Sequence, residues 1–458
     1  MRHRDQDKTK RNRVLVLAYQ FPPDTGSVQR VKKYVQYLPE FGWQPIVLTR
    51  KISEYRNMDQ ASLHGLPETT QIVRVGPGDW FARIRARVVG QEKSVGKDNN
   101  IEAVNVSGQG RKRLLRWLRG LYRASHAWLI WPDSAVGWLP SAFLTSLRLV
   151  ITKKIRVIYT VSPPHSTHLV GVVLKWLAGV RWLADFRDPW ANDPDIPMPT
   201  RFHKEVHCWA ERLVLRTADE IVTTTDFHTE YMRSRLPSSD SLRVHTITNG
   251  YDPQDMANLP PYSDSGFQIT YAGGFYASRS VTPFLRALAQ LQAHNPGIFE
   301  QVIVRFIGSN HELMTGEIAS LGIQRIVRFP GYLDHRRTIE ELARSAVLLL
   351  VVHSDPLVAC TSIPAKLFEY MAIGRPILAI SPTGSSAELV KSSGTGVVVD
   401  PSDVEGIENT ILEFFRQHTC GELDGASYSP RNLERFHRRS LTESLAALLD
   451  EIVIGKGM

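Results

Sequence analysis

The hydrophobic pattern along this chain is a repeated exchange between short apolar runs and longer stretches with helical spacing. Val14–Tyr19 is apolar at successive positions, as a strand buried on both faces requires; a one-sided strand would alternate. A Pro/Gly loop, Phe21–Ser27, follows, then a helical pattern through Glu40 and a strand at Pro45–Thr49. From Arg156 the rhythm becomes regular: strand 157–161, helix 166–178, strand 180–185, helix 203–216, strand 220–224, helix 226–235, strand 243–247. Strands that alternate with helices build βαβ units on a parallel sheet.

At Asp252 the pattern stops. Residues 252–266 are polar and Pro-rich and read as a linker, after which the exchange restarts at Gln268–Ala272 and runs through Val404–His418. The chain therefore divides into a basic tail (1–12), a first Rossmann-like domain (13–251), the linker, a second such domain (267–429) and a C-terminal helical segment (430–458). Residues 90–112 are polar and contain Gly, and read as a loop insertion. The predicted fold class is α/β, with two doubly wound domains facing a central cleft. Ligands of such sheets bind outside the carboxyl ends of the strands.

Length and composition add limits. At 458 residues with 43% hydrophobic residues, the chain can fill two cores and is not a disordered protein. Three widely spaced cysteines, Cys208, Cys360 and Cys420, form neither a disulfide framework nor a metal knuckle, which predicts a reducing compartment. No apolar run is long enough to span a bilayer, and the N-terminus lacks a signal-peptide core, so a cytoplasmic protein is expected. The net charge of +9 is concentrated: residues 1–13 hold six Lys/Arg against two Asp, and residues 111–123 hold six and no acid. With the remainder near neutral, a nucleic-acid partner is not expected. Residues 111–123 instead form an amphipathic helix when wound, with Trp117, Leu118 and Leu121 opposite Arg113, Arg116 and Arg119. That pattern predicts contact with the anionic inner face of a membrane.

Candidate chemistry clusters where strands end. The Phe21–Ser27 loop has one glycine, Gly26, and neither a GxGxxG nor a P-loop pattern, which excludes standard dinucleotide and P-loop chemistry. In Asp185-Phe-Arg-Asp188 one face of the strand is expected to hold an ion pair while Arg187 or Asp188 reaches the cleft. His165 and His168 follow another strand. With no further ligand nearby a metal is not expected, leaving His165 beside a sugar hydroxyl or capping a helix. Gly273 and Gly274 permit close approach of a ligand, and Arg279 offers a fork for phosphate. The strongest stretch is Thr361-Ser-Ile363-Pro-Ala-Lys366-Leu-Phe-Glu369 through Gly374-Arg-Pro376. Pro364 starts a helix whose free N–H groups suit a diphosphate, Lys366 adds charge, and Glu369 lies one turn on.

These stretches together resemble the family-four retaining glycosyltransferases of GT-B architecture. The likeness lies in Val14–Tyr19 with Gly26, Thr248-Asn-Gly-Tyr-Asp252, Phe329-Pro-Gly-Tyr332 and Pro364–Ile377, in order and in register. The resemblance implies a nucleotide-sugar donor and no cofactor or metal. It implies that Gly26 and Ile363 border the donor, that Arg279 and Lys366 neutralise its diphosphate, and that Glu369 holds its ribose. Backbone near Tyr332 and Leu333 would read the base. Thr361 stands where the family often has a first glutamate, and Arg187 where it has a histidine, as in a branch resembling enzymes of bacterial surface-polysaccharide synthesis. The expected activity is transfer with retention to a glycan or lipid-linked acceptor, with Asp188, Arg187 and His165 as the catalytic candidates. A nucleotide-sugar epimerase and an idle nucleotide-sugar-binding subunit are the alternatives.

Overall fold

The computed structural model describes residues 12–24, 28–55, 58–76, 131–196, 198, 200–262, 266–274, 280–309, 311–423, 428, 430 and 432–454. The tail, the insertion 90–112 and the basic stretch 111–123 lie outside them. Two sheets, parallel throughout, form the frame. The first has seven strands: β1 (Asn12–Leu17), β2 (Trp43–Arg50), β3 (Gln71–Val75), β4 (Val157–Ser162), β5 (Arg181–Phe186), β6 (Glu220–Thr223) and β7 (Val244–Thr246). Their spatial order is β3-β2-β1-β4-β5-β6-β7. The second has β8 (Phe267–Ala272), β9 (Val302–Ile307), β10 (Val327–Gly331), β11 (Val347–Val351), β12 (Ile377–Ile380) and β13 (Gly396–Val399), ordered β10-β9-β8-β11-β12-β13. The two Rossmann-like units expected from the pattern are present.

The central strands are sealed on both sides, which is why their sequences run apolar without alternation: β4 and β11 are buried at every position. The edge strand β3 escaped the pattern because Gln71 is exposed and the rest only half-buried. The helix Leu139–Lys153 escaped it because Leu144 and Ile151 point to solvent and blur its apolar stripe.

Two crossings join the domains, and neither is loose. Asp252 receives Lys33 Nζ at 2.5 Å and the Tyr37 hydroxyl at 2.8 Å. Arg336 donates to the carbonyls of Asp255, Ala257 and Asn258. The start of the expected linker is thus a docked turn fastened to both sides. The second crossing runs back: Tyr251 pairs with His437 in a short parallel bridge, and the Arg438–Ile454 helix then packs on the first domain. Leu441, Leu445, Leu449 and Ile452 join Val16, Tyr34, Val35 and Val157 in one core cluster. The Gly250 backbone lies so close to Phe436 that a Cβ would stand 2.1 Å from its carbonyl oxygen. Thr248–Asp252 is therefore a joint between the two crossings. Among the described residues no helix is long and apolar enough to cross a membrane.

Candidate active site

Strand order reverses between β1 and β4 in one sheet and between β8 and β11 in the other. The chain leaves the strand ends on either side of each reversal in opposite directions, which opens a crevice. The loops bordering these two crevices carry most of the residues singled out from the sequence.

On the second domain's side, β8 and β9 end against each other. The Gly273 N–H donates to the Ile307 carbonyl (2.8 Å), and a Cβ on Gly308 (φ +141°) would stand 2.2 Å from the Gly273 carbonyl oxygen. Gly273 itself has φ +138°, and a Cβ there would lie 2.4 Å from Lys366 Nζ. The glycine thus makes room for the lysine, whose ammonium rests 4.0 Å from the centre of the Tyr271 ring. Lys366 makes no ion pair among the described residues, and it sits in the first turn of the Ala365–Ile373 helix, whose N-terminus no side chain caps. A cation, open N–H groups and a helix dipole converge, an arrangement suited to a phosphate. Gly274 borders the same corner, its carbonyl accepting from the Tyr271 hydroxyl at 3.3 Å. Gly26 and Arg279 lie outside the described residues.

One turn on, Glu369 Oε1 meets His335 Nε2 at 3.0 Å. Burial works against the carboxylate, but His335, helped by Arg438 and Lys366, outweighs it and holds the Glu369 pKa below its ordinary 4.5. Burial likewise opposes the imidazolium, and Glu369 lifts the His335 pKa above 6.5. The lowered carboxyl contributes stability above pH 4.5 that is lost as pH falls, and the raised imidazole contributes stability below pH 6.5 that is lost as pH rises. The pair therefore contributes most between those values. The melting-temperature difference between the parent and His335→Ala is expected to be largest near ~pH 5.5 and to shrink by about pH 9. A difference constant across that range would remove the ion pair from the account.

On the first domain's side the ion pair is that of Asp185. Its carboxylate, fully buried, accepts from Arg30 Nε at 3.0 Å and from the Tyr159 hydroxyl at 2.5 Å, while Arg30 also donates to the carbonyls of Ile247 and Thr248. Arg187 and Asp188 are half-buried at the strand end. The Arg187 carbonyl accepts from Thr224, and Asp188 Oδ1 accepts from Ser362 Oγ of the other domain at 3.3 Å. Thr225 donates to the carbonyls of Cys360 and Thr361, and Asn249 to that of Ile363 at 3.2 Å. The loop leading into the Lys366 helix is thus held by first-domain side chains, which brings Asp188, Ile363 and Lys366 to one interface. Thr361 is buried at the end of a short helix, its hydroxyl bonded to the Leu357 carbonyl.

His165 requires a correction. Its ring is 3% exposed and stacks on Trp190 with centroids 5.1 Å apart. Burial, reinforced by His168, His207 and His228, depresses its pKa well below 6.5, so it is a neutral packing group and not a face of the cleft. His168 is also sealed, with Nδ1 on Thr160 Oγ1 at 2.7 Å. Among the described residues no set of three or more His, Cys, Asp or Glu side chains converges as metal ligands would.

Some features had no sequence signal. Asp193 has its pKa raised to about 6, first by burial and then by Asp188, Asp195 and Asp355, which marks it as a perturbed carboxyl beside Asp188. His335 follows an ordinary helix cap, Asp334, and nothing local announces a partner 34 residues on. Arg438, 2% exposed and with its NH1 unpartnered, comes from the returning helix. Burial lowers its pKa to about 10 despite Tyr34 and Glu369 nearby.

Residues 25–250 match the family model described as a glycosyl transferase 4-like domain, and residues 261–423 that of glycosyl transferases group 1. Glycogen synthase of Mycobacterium tuberculosis is 25% identical over 236 residues, which is 47% of this chain and 54% of that protein. The chain thus aligns with about half the length of that curated relative. Among solved structures, sucrose-phosphate synthase from Thermosynechococcus elongatus superposes with a TM-score of 0.63 at 15% identity, covering 97% of this chain and all of that one. Anabaena HepE in complex with UDP and glucose gives 0.64 at 15% identity, covering 96% and 100%. Both domain matches are to glycosyltransferase families, and the fold is that of the GT-B glycosyltransferases.

Proposed function

We propose that this chain, two glycosyltransferase-type domains in the GT-B fold, moves a sugar from a nucleoside diphosphate donor to an acceptor hydroxyl with retention of configuration. The observation that carries this reading is the corner formed by Lys366, Gly273 and the uncapped start of the Ala365–Ile373 helix. The leaving group of such a transfer is a diphosphate whose charge grows as the glycosidic bond breaks. A fixed ammonium and oriented N–H groups stabilise that charge most where it is greatest, in the transition state. With Arg279 added, this reading needs no metal to neutralise the diphosphate. Glu369 takes the ribose hydroxyls. The departing phosphate oxygen accepts the acceptor's proton on the face that the sugar leaves, so the new bond forms on that same face. Asp188, held by Ser362 at the domain boundary, is the first candidate for a protein acid–base group, with Arg187 beside it.

The test is a thermal-shift series with UDP, GDP and dTDP, followed by product analysis with the matching nucleotide sugars. UDP comes first because HepE was solved with it. A binding nucleotide at ~100 times its dissociation constant adds about 2.7 kcal/mol to stability. No shift with any of the three would sink the reading. A converted donor released without an acceptor would point to an epimerase instead.

The acceptor side of the proposal is a lipid-linked glycan precursor at the inner face of the cell membrane, supported by the basic stretch 111–123. Each basic residue at an anionic surface contributes roughly 1 kcal/mol. Arg113→Glu, Arg116→Glu and Arg119→Glu together are expected to abolish co-sedimentation with anionic vesicles and leave nucleotide binding unchanged. Undiminished sedimentation of the triple variant would remove the membrane from the proposal.

A further inference from the structure

Three helices of the first domain, Leu139–Lys153, Ser166–Ala178 and Arg201–Thr217, pack side by side on one face of its sheet. Their inner sides share a core with the strands: Leu149, Leu174 and Val214, one from each helix, join Leu15, Ile158 and Trp182. The Gln29–Tyr37 and Arg438–Ile454 helices cover the other face and belong to a separate core.

The outer side of the three-helix layer departs from an ordinary protein surface. A helix with one side in the core and the other in water carries polar residues on the wet side. Ser166–Ala178 does not. Val173, Trp176 and Leu177 stand outward at i, i+3 and i+4, with half-buried Leu169 one turn before them. Trp176 is 63% exposed and Leu177 67%, and the helix's one formal charge, Lys175, is taken by Asp219 at 2.5 Å. The flanking helices repeat the feature, with Leu144 and Ile151 exposed on one and Phe202 and Trp209 on the other. Half of the large apolar side chains exposed among the described residues stand on these three helices, so the exposure is concentrated in one area. Such a concentration marks a surface that meets a partner.

The charge around it has one sign. Over 139–156, 166–181 and 201–217 the exposed bases include Arg148, Lys154, Arg156, Arg181, Arg212 and Arg216, against one exposed acid, Glu205. Lys154, Arg156, Arg181 and Arg216 lie at or just beyond helix C-termini, near Ile151, Trp176 and Leu177 in the chain. Because these helices run against the strands they connect, those ends share the edge of the sheet remote from the cleft. A two-fold contact with a second copy would set this basic rim against itself. An anionic partner meets no such repulsion.

We propose that the outer face of these three helices is a docking surface for the interfacial zone of an anionic lipid bilayer. The indoles and aliphatic side chains enter the boundary between headgroups and acyl chains, where Trp is favoured, and the basic rim meets the lipid phosphates. The cleft, at the opposite edge of the sheet from the rim, stays open. The inference rests on the membrane reading above for its setting and adds a folded surface distinct from 111–123. Two such signals are what stable peripheral attachment requires.

The test is co-sedimentation of the full chain with vesicles of phosphatidylglycerol and phosphatidylcholine in equal parts, and with phosphatidylcholine alone. The parent is expected to bind the mixed vesicles and to bind the neutral ones about tenfold more weakly or less. Trp176→Ser with Leu177→Ser is expected to lower partition onto the mixed vesicles about tenfold or more. This variant should melt with the parent, because both side chains already face water, and should keep any nucleotide-induced shift. Phe202→Ser with Trp209→Ser, on the neighbouring helix, carries the same expectation independently. Loss in these variants while the 111–123 variant still sediments would uphold this surface and remove that stretch from the membrane. Sedimentation of both patch variants equal to the parent's, or equal binding of the parent to neutral vesicles, would overturn the proposal. So would a parent that binds neither vesicle. A patch variant that passes from dimer to monomer without lipid would assign the face to a second copy, and melting of both variants well below the parent would assign it to the chain's own residues 77–130; either result also overturns the proposal.

Discussion

Lys366→Ala is expected to lower donor turnover by about two to three orders of magnitude, the range seen when one preorganised donor to a developing anion is removed. The reason is geometric. The ammonium sits on the Gly273 backbone at the mouth of an uncapped helix, and among the described residues no carboxylate forms a close ion pair with it, although Glu369 lies within its field. The loss should fall mainly on kcat, since the interaction strengthens as charge leaves the sugar, with a smaller loss in nucleotide affinity. The fold should survive, because the side chain gives up only its contact with the Tyr271 ring, about 0.5–1 kcal/mol. Gly273→Ala should reproduce part of the defect by two routes: a Cβ would strike Lys366 Nζ, and φ +138° suits no L side chain. Turnover in Lys366→Ala within a factor of three or so of the parent would detach this corner from the diphosphate.

The largest expected effect on stability belongs to Asp185. Arg30 and Asp185 are both sealed from solvent, and burial opposes the Arg30 charge while Asp185, with Tyr34 and Tyr159, more than restores it, holding the guanidinium pKa above its ordinary value. Asp185→Ala leaves that guanidinium buried with only two backbone carbonyls, and strips the Tyr159 hydroxyl of its acceptor. Breaking such a pair by removing one partner costs about 3–5 kcal/mol. A domain holds only ~5–15 kcal/mol in total, so the first domain should unfold at markedly lower urea concentration. Replacing the set with apolar residues, Arg30→Met with Asp185→Leu and Tyr159→Phe, should recover much of the loss, because no charge is then stranded. A single Asp185→Ala variant within about 1 kcal/mol of the parent would mean that water reaches Arg30 after all.

Much of this architecture could be read from residue order alone, for a physical reason. Strands buried on both faces leave uninterrupted apolar runs, and the helix carrying Lys366 and Glu369 is punctuated by Pro364 before it and Gly374 after it. Where burial was partial the signal failed, as in the half-exposed β3 and in the helix that turns Leu144 and Ile151 to water. Pairings between distant segments left no trace. His335 with Glu369 depends on how two helices of the second domain pack, and Asp193 beside Asp188 on how the loop after β5 folds back. His165 misled because a histidine after a strand in this class reads as a cleft residue, and only the structure reveals that Trp190 lies flat against it. The ion pair on Asp185 was foreseeable from the alternation Asp185-Phe-Arg-Asp188, but its partner, Arg30, was not.

The helix Arg438–Ile454 has a consequence for how the protein is made. It fills the core of the domain that is synthesised first, yet it leaves the ribosome nearly two hundred residues after that domain's last strand. At ~5–20 residues per second the first sheet waits tens of seconds with the patch formed by Val16, Tyr34, Val35 and Val157 uncovered, while the second domain, whose residues are contiguous, can close without waiting. The order of completion is thus the reverse of the order of translation. During that interval the nascent chain presents a greasy surface to chaperones and to its neighbours on the same polysome, and any premature stop before Arg438 leaves a product in which the later domain is whole and the earlier one is not.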